Sequence, residues 1–204
     1  MRLQSPFGVV TSAVDGDVLA VLARSESGFT VTELHAAIRG RSSEGVRNAL
    51  SRLVGEGIVR REPVGRNALY TLNRDHLAAP AIVQLAGLGD LFRERLRGEL
   101  GGWSEPPVFA ALFGSAARGA MRTDSDIDVL LVRGADPTAV WELQVAEITR
   151  RIHGWTGNDP RLIDFSAAEL RGAAAHEPLV ASVLDEGITL VGDRLAFRAL
   201  VSTP

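Results

Sequence analysis

The chain has 204 residues, of which 46% are hydrophobic and 5% aromatic, a composition typical of a globular protein with room for two small domains. It contains no cysteine, which excludes disulfide bonds and thiolate metal sites. All 22 basic residues are arginine, so no lysine can act as a nucleophile or phosphate ligand. The apolar runs are too short to cross a bilayer and no signal-peptide core is present, so we expect a cytoplasmic protein with no membrane partner.

Positive charge is concentrated in the N-terminal third, although the whole chain carries a net charge of -3. Residues 1–75 contain ten arginines and eight acidic residues, whereas residues 76–204 contain twelve arginines and seventeen acidic residues. Between residues 38 and 74, eight arginines accompany only three glutamates. A local basic patch on an acidic protein favours an anionic partner for that segment.

The N-terminal segment shows the periodicity of three helices. Asp17–Arg24 has the apolar spacing of a first helix. Thr30 and Glu33 predict a capping box that begins a short second helix, which Gly40 would end. Ser42 can cap a third helix, on which apolar residues recur at intervals of three and four. The opposite face of that third helix carries Ser43, Arg47, Asn48, Ser51 and Arg52.

A hairpin is predicted to follow these helices. Residues 58–72 alternate in the manner of two strands joined by a turn at 63–66, and they carry Arg60, Arg61 and Arg66. Three helices followed by a basic hairpin resemble the winged helix-turn-helix of bacterial transcription regulators, over roughly residues 12–75. The segments that carry the resemblance are Val31-Thr32-Glu33-Leu34, Ser42-Ser43-Glu44-Gly45-Val46-Arg47-Asn48-Ala49-Leu50-Ser51-Arg52-Leu53 and Gly57-Ile58-Val59-Arg60-Arg61.

This resemblance implies duplex DNA as a partner. Such a fold places its third helix in the major groove, where the polar face described above would meet base edges or phosphates. Arg60, Arg61 and Arg66 would hold the DNA backbone. Binding to a two-fold site would make the protein a homodimer. Two alternatives stay open: winged helices also act as protein-docking or dimerisation modules, and Arg52 could pair with Glu56 one helical turn away.

A connecting helix is predicted over residues 76–103, because apolar residues recur there at helical spacing. Pro80 suits its first turn and Gly101-Gly102 would end it. The chain is thereby divided into a DNA-binding domain over residues 1–75, the connecting helix, and a second domain over residues 104–204.

The candidate catalytic residues lie in the second domain. Val108–Phe113 is an apolar run typical of a buried strand, and Gly114 and Ser115 follow it in a turn that could cradle phosphates. After ten intervening residues come Asp126 and Asp128. Side chains two apart on a strand point to the same face, so these carboxylates would meet at one spot. Two convergent carboxylates beside a phosphate cradle suit a Mg²⁺-dependent nucleotide chemistry.

A third carboxylate follows on a later strand. Arg161–Phe165 has a strand pattern on which Leu162 and Asp164 share a face. Asp164 is therefore either a partly buried charge or a third ligand of the same site. The tail is predicted to add helices over 167–170, 177–186 and 193–201 and a short strand. The histidines have no ligand partner at metal spacing, and we interpret them as structural: His35, His76, His153 and His176.

Residues 108–165 resemble the minimal nucleotidyltransferases of the DNA polymerase beta superfamily. The resemblance rests on Phe113-Gly114-Ser115-Ala116-Ala117-Arg118-Gly119 and Ser125-Asp126-Ile127-Asp128-Val129-Leu130. It implies an α/β (α+β) fold with a small mixed sheet and flanking helices, and two Mg²⁺ ions held by Asp126, Asp128 and Asp164. Gly114 and Ser115 would bind the β- and γ-phosphates of a nucleoside triphosphate, expected to be ATP. Arg118 would contact a phosphate or form a surface ion pair.

Together the two resemblances predict a DNA-binding protein that transfers a nucleoside monophosphate to a hydroxyl acceptor. The acceptor is open: a partner protein, as in minimal nucleotidyltransferase antitoxins that modify a toxin, an RNA end, or a small molecule such as an aminoglycoside. A DNA-binding module implies a macromolecular setting, which favours a protein or nucleic acid. The alternative function is a transcription regulator whose inactive nucleotidyltransferase-like domain senses nucleotides.

Overall fold

The computed structural model of the chain describes residues 1–38, 40–171 and 178–202. They form two compact units: an N-terminal unit, Ser5–Gly89, and a C-terminal unit that joins Met1–Gln4 to the chain from Asp90 onward. In these ranges no helix combines the length and hydropathy that a membrane crossing would require.

The N-terminal unit contains four α-helices and a hairpin, with bounds α1 Val14–Ala23, α2 Val31–Ala37, α3 Ser43–Gly55, β1 Val59–Val64, β2 Asn67–Leu72 and α4 Ala79–Ala86. The predicted caps are confirmed. The Thr30 side chain and Glu33 form a capping box on α2, and Ser42 Oγ accepts a hydrogen bond from the Gly45 N–H at 3.0 Å to begin α3. Strands β1 and β2 pair antiparallel across the two-residue turn Gly65–Arg66.

One prediction for this region is wrong: residues 76–103 do not form a single helix. The chain turns at Gly87, whose N–H donates to the carbonyls of Val83 and Gln84, and α5 then begins at once (Leu88–Gly101). Glycine has a low helix propensity, so the helix ends there although the apolar spacing continues. Helix α4 thus belongs to the N-terminal unit, and α5 belongs almost wholly to the C-terminal unit.

The C-terminal unit is built on a mixed four-stranded sheet in the order β5-β4-β3-β6. Strand β4 pairs antiparallel with β3 and parallel with β5, and β6 pairs antiparallel with β3. After α5 the elements have the bounds β3 Phe109–Phe113, α6 Gly114–Ala117, β4 Ile127–Arg133, α7 Ala139–Thr156, β5 Pro160–Ser166, α8 Pro178–Glu186, β6 Ile188–Val191 and α9 Arg194–Ser202. The predicted helix over 167–170 is a turn instead.

Both faces of this sheet are covered by helices. Buried residues of α5 and α7, including Leu96 and Ile152, pack with Val129 and Leu131 on one face. Buried residues of α8 and α9 pack on the other face, against Leu130 and its neighbours. Consecutive residues of β4 therefore point into two different cores, because side chains alternate along a strand.

Candidate functional site

The candidate site lies at one end of the four-stranded sheet. At this end β3 finishes, and β4 and β5 begin. Phe113 pairs with Asp128, which pairs in turn with Arg161, and Asp126 immediately precedes β4. Leu112 of β3 pairs with the first residue of β6, so the end of α8 reaches the same edge. The fold thus gathers a turn, two carboxylates and a basic side chain at one edge.

Gly114 turns the chain from β3 into α6 with a φ of 66°. A Cβ atom at this position would overlap Oδ2 of Asp128 and lie 3.3 Å from its Cγ. Two constraints therefore require glycine here, the left-handed backbone conformation and the close approach of a carboxylate. The Asp128 side chain lies directly against the turn that the sequence predicts as a phosphate cradle.

We expect Gly114→Ala to lower the free energy of unfolding by about 2–4 kcal/mol, because it adds left-handed strain and displaces the Asp128 carboxylate. Gly157→Ala is the matched control: Gly157 has a φ of 68° but no neighbouring atom within 4 Å of an added Cβ. That variant should lose only the strain, about 1–2 kcal/mol. Urea denaturation compares the two, and equal losses would contradict the close approach of Asp128.

Asp128 is a half-buried carboxyl whose pKa is raised, first because burial disfavours its ionised form. The charge of Asp126 raises this pKa further, whereas Arg161 and Arg118 oppose the rise. Both arginine charges therefore act on this carboxylate but do not compensate its desolvation. An anion held in this way can be stabilised by a cation brought in from solution.

Arg118 follows α6 at the rim of the site. Its guanidinium donates a hydrogen bond to Glu186 of α8. Of the two alternatives for Arg118, phosphate binding and a surface ion pair, the ion pair is the one observed. Ser115 is partly buried beside the glycine of the turn, and its carbonyl accepts a hydrogen bond from the Ala120 N–H at 2.9 Å. Ser115 is thus held at the edge where Asp128 lies.

Asp164 does not join the other two carboxylates, and the prediction that it completes the metal site is wrong. In the parallel pair of β4 and β5, Asp128 lies opposite Arg161 and Leu131 lies opposite Asp164. Paired residues share a face and successive residues alternate between faces. Asp164 therefore points to the face covered by α5 and α7, whereas Asp128 points to the face covered by α8 and α9.

On its own face Asp164 belongs to a partly buried polar cluster. Its carboxylate accepts hydrogen bonds from Arg133 Nη1 at 2.7 Å and from Trp141 Nε1 at 2.8 Å. The Arg133 side chain is only 13% exposed and also pairs with Glu169 at 3.2 Å. Of the two interpretations of Asp164 made from the sequence, the partly buried charge is the one observed. Its burial is compensated by an arginine.

No group of three histidine, aspartate or glutamate side chains converges on a metal position anywhere in ranges 1–38, 40–171 and 178–202. Asp126 and Asp128 can nevertheless hold Mg²⁺, because Mg²⁺ is commonly bound by one or two carboxylates together with substrate phosphates and water. Burial raises the pKa of Asp128, so a nearby cation would stabilise its ionised form, and the missing Cβ of Gly114 leaves the room in which this carboxylate lies.

The histidines within the described residues contact the backbone instead. His35 Nε2 lies 3.0 Å from the Arg41 carbonyl, His153 Nδ1 lies 3.2 Å from the Asn158 carbonyl, and His76 Nδ1 accepts from the Ala78 N–H at 3.1 Å. His176 lies outside the described residues.

Arg161 is the residue at this edge that sequence reasoning missed. Its pattern marked it only as the start of a strand, and its place beside Asp128 depends on the parallel register of β5 against β4. A prediction that β5 pairs in parallel with the strand after Asp126 would have placed Arg161 beside Asp128. The sequence does not state which strands are neighbours.

The basic side chains of the N-terminal unit divide into paired and unpaired groups. Arg52 donates two hydrogen bonds to Asp15 of α1, not to Glu56, and Arg60 pairs with Asp75. The side chains of three exposed arginines make no hydrogen bond or ion pair with any residue that the structure describes: Arg47, Arg61 and Arg66. Asn48 and Ser51 are also exposed on α3, and Ser43 is partly exposed.

Residues 93–156 match the family model described as "Nucleotidyltransferase domain". The matched segment contains the turn at Gly114 and Ser115 and both Asp126 and Asp128, and it ends before β5. This part of the chain is therefore similar to nucleotidyltransferase domains. A search among curated proteins finds no match to the chain.

Two solved structures are similar to part of the chain. A toxin–antitoxin complex with AMP-PNP shares 17% identity, over 53% of this chain and 80% of that one, with a TM-score of 0.39. A mutant of the toxin–antitoxin pair MntA-HpeT shares 14% identity, over 53% and 80% of the two chains, with a TM-score of 0.38. At these TM-scores the likeness carries no argument about this protein.

Proposed function

We propose that this protein is a Mg²⁺-dependent nucleotidyltransferase that moves a nucleoside monophosphate from a nucleoside triphosphate, with ATP the expected donor, to a hydroxyl acceptor. The observation that carries the proposal is the position of the Asp128 carboxylate against Gly114, with Asp126 beside it. Both carboxylates lie in the segment that matches the nucleotidyltransferase family model.

The turn and the two carboxylates at this edge have separate roles in the proposal. The turn at Gly114 and Ser115 binds the β- and γ-phosphates, and Asp126 and Asp128 hold Mg²⁺, which neutralises phosphate charge when bound. The acceptor oxygen forms a bond to the α-phosphorus as the bond from that phosphorus to the bridging oxygen breaks. Pyrophosphate leaves with the bonding electron pair, and the acceptor proton passes to solvent.

A nucleotide sensor is the second candidate function. The observation that favours it is Asp164, whose carboxylate is held by Arg133 and Trp141 on the opposite face. Of the three predicted ligands, Asp126 and Asp128 therefore remain at the site. Two carboxylates suffice to bind a Mg²⁺-nucleotide complex. A sensor would bind a nucleoside triphosphate tightly and release no pyrophosphate.

One experiment separates the two candidates. Purified protein is incubated with Mg²⁺ and a nucleoside triphosphate labelled on its α-phosphate, with a cell extract from which small molecules have been removed as the source of acceptors. Label on a macromolecule together with pyrophosphate release supports the transferase. Bound triphosphate without pyrophosphate release supports the sensor. Absence of both nucleotide binding and pyrophosphate release would contradict both functions.

We also propose that the N-terminal unit binds duplex DNA through α3 and the β1–β2 hairpin. Exposed arginines without an acidic partner can attract phosphates, and Arg47, Arg61 and Arg66 are of this kind within the described part of the chain. Arg52 and Arg60 are less suited to this role, because each is already paired with a carboxylate.

We expect the affinity for duplex DNA to fall steeply with salt concentration. Arg47→Ala should reduce the slope of log affinity against log salt by about one, because one phosphate contact is lost. Arg52→Ala, on the same helix but paired with Asp15, is the matched control and should leave the slope unchanged. Fluorescence anisotropy measures both variants. No binding of duplex DNA even at low salt would leave the protein-docking interpretation standing.

A further inference from the structure

Arg161 is an exposed cation beside the carboxylates of the site, and no residue of the described chain accepts a hydrogen bond from its side chain or forms an ion pair with it. The other arginines near this edge differ. Arg118 donates to Glu186, and Arg122 lies 3.6 Å from Asp124. The charge of Arg161 acts on Asp128, on the same face of the sheet, but the hydrogen-bond donors of its guanidinium are not used within the described chain.

The position of Arg161 relative to the turn at Gly114 indicates which substrate this cation would meet. Asp128 lies between Gly114, at the end of β3, and Arg161, at the start of β5. In phosphoryl transfer the entering and leaving oxygens are roughly in line with the phosphorus. If the triphosphate lies on the β3 side, as the proposed function requires, the acceptor hydroxyl approaches from the β5 side.

We propose that Arg161 binds a phosphate of the acceptor and that the acceptor is the hydroxyl end of a nucleic acid strand. This inference rests on the proposed function. A terminal hydroxyl of a nucleic acid carries a phosphodiester one nucleotide away, and a guanidinium binds such a group through charge-assisted hydrogen bonds. A hydroxyl on a protein side chain brings no phosphate with it. Arg161 acts as a positioning residue, because it holds the acceptor and takes no proton.

The binding test uses the full chain with Mg²⁺, a non-hydrolysable nucleoside triphosphate analogue and a short fluorescein-labelled oligoribonucleotide with a free 3′ hydroxyl. Excess unlabelled duplex DNA in covalently closed circles, which have no hydroxyl end to compete with the oligoribonucleotide, occupies the N-terminal unit. Arg161→Gln should weaken binding of the oligoribonucleotide about tenfold, since a hydrogen bond to a charged group is lost. Arg95→Gln is the matched control: Arg95 is exposed on α5 and has no partner in the described chain, and its loss should leave this affinity unchanged.

A kinetic measurement complements the binding test, because it separates acceptor binding from triphosphate binding. With the oligoribonucleotide as acceptor, Arg161→Gln should raise the KM for the acceptor about tenfold and leave the Kd of the triphosphate analogue unchanged. A merely structural role would raise both. Arg161→Lys should restore part of the acceptor affinity, because it restores the charge without the planar fork.

Three results would overturn the inference while leaving the proposed function intact: unchanged oligoribonucleotide binding by Arg161→Gln, weaker binding of the triphosphate analogue, or label transferred only to a protein. If the wild-type chain neither binds the triphosphate analogue nor releases pyrophosphate, the proposed function itself fails. The two failures are thus distinguishable.

Discussion

Asp128→Asn is expected to slow Mg²⁺-dependent pyrophosphate release by about a thousandfold or more, while leaving the protein at least as stable as the wild type. Asparagine keeps the size of the side chain but removes the negative charge that would hold the metal ion. Without that ion, the charge on the transferring phosphate would not be neutralised. Stability is retained because ionised Asp128 is disfavoured by its own burial in the folded protein. A pyrophosphate assay and a thermal melt measure the two effects.

Asp124→Asn is the control for this substitution. Asp124 lies close by in the turn before β4, but its side chain is 80% exposed and forms an ion pair with Arg122. The same change of charge there should leave both the rate and the melting temperature near wild type. A loss of activity in Asp124→Asn equal to that in Asp128→Asn would indicate a general electrostatic effect and contradict a specific metal ligand.

The pH dependence of stability provides a second readout for Asp128. Burial raises its pKa, so the folded protein holds this proton more tightly than the unfolded chain does. The resulting stabilisation is present below the unfolded pKa and is lost as the pH rises through the higher folded pKa. Metal-free wild type should therefore lose stability relative to Asp128→Asn over that acidic interval. Parallel stability curves for the two proteins would contradict the raised pKa.

Asp164→Asn is expected to lower the free energy of unfolding by about 2–3 kcal/mol and to change nucleotide binding by less than about twofold. The loss arises because the largely buried Arg133 guanidinium would keep only one charged partner, and its Nε atom already has no hydrogen-bond partner in the described structure. Urea denaturation followed by tryptophan fluorescence reports on the cluster, since Trp141 donates to the same carboxylate.

Glu169→Gln is the matched variant for this cluster. It removes the other carboxylate that pairs with Arg133, but Glu169 is 55% exposed and its ion pair is worth little. The expected loss of unfolding free energy is therefore smaller than that of Asp164→Asn. If Asp164→Asn instead abolished Mg²⁺-dependent nucleotide binding and left the denaturation midpoint unchanged, Asp164 would be a metal ligand and the separation of the two faces would be wrong.

We expect substitutions on the two faces of the C-terminal sheet to have different effects. The face under α8 and α9 ends in the exposed edge that holds Asp128 and Arg161, whereas the face under α5 and α7 buries an ion pair that holds β4, β5 and α7 together. Asp128→Asn changes chemistry at an open edge, and Asp164→Asn changes packing inside the unit.

Local structure followed from local chemistry in this chain. The capping box at Thr30, the cap at Ser42 and the hairpin turn at Gly65 appear where the sequence predicts them, because each depends on residues only a few positions apart. The turn at Gly114 followed by alternating carboxylates at Asp126 and Asp128 was visible for the same reason.

Features that join distant segments were decided by the tertiary structure alone. Alternation along β5 shows that Leu162 and Asp164 share a face, but which face that is relative to Asp128 depends on the register of β5 against β4. A shift of that register by one residue would exchange Asp164 and Arg161 between the two faces. Ion pairs such as Arg52 with Asp15 and Arg118 with Glu186 likewise join helices far apart in the chain. Local spacing therefore identified Gly114, Asp126 and Asp128 as candidates, and only strand pairing decided that Arg161 lies beside Asp128 and that Asp164 does not.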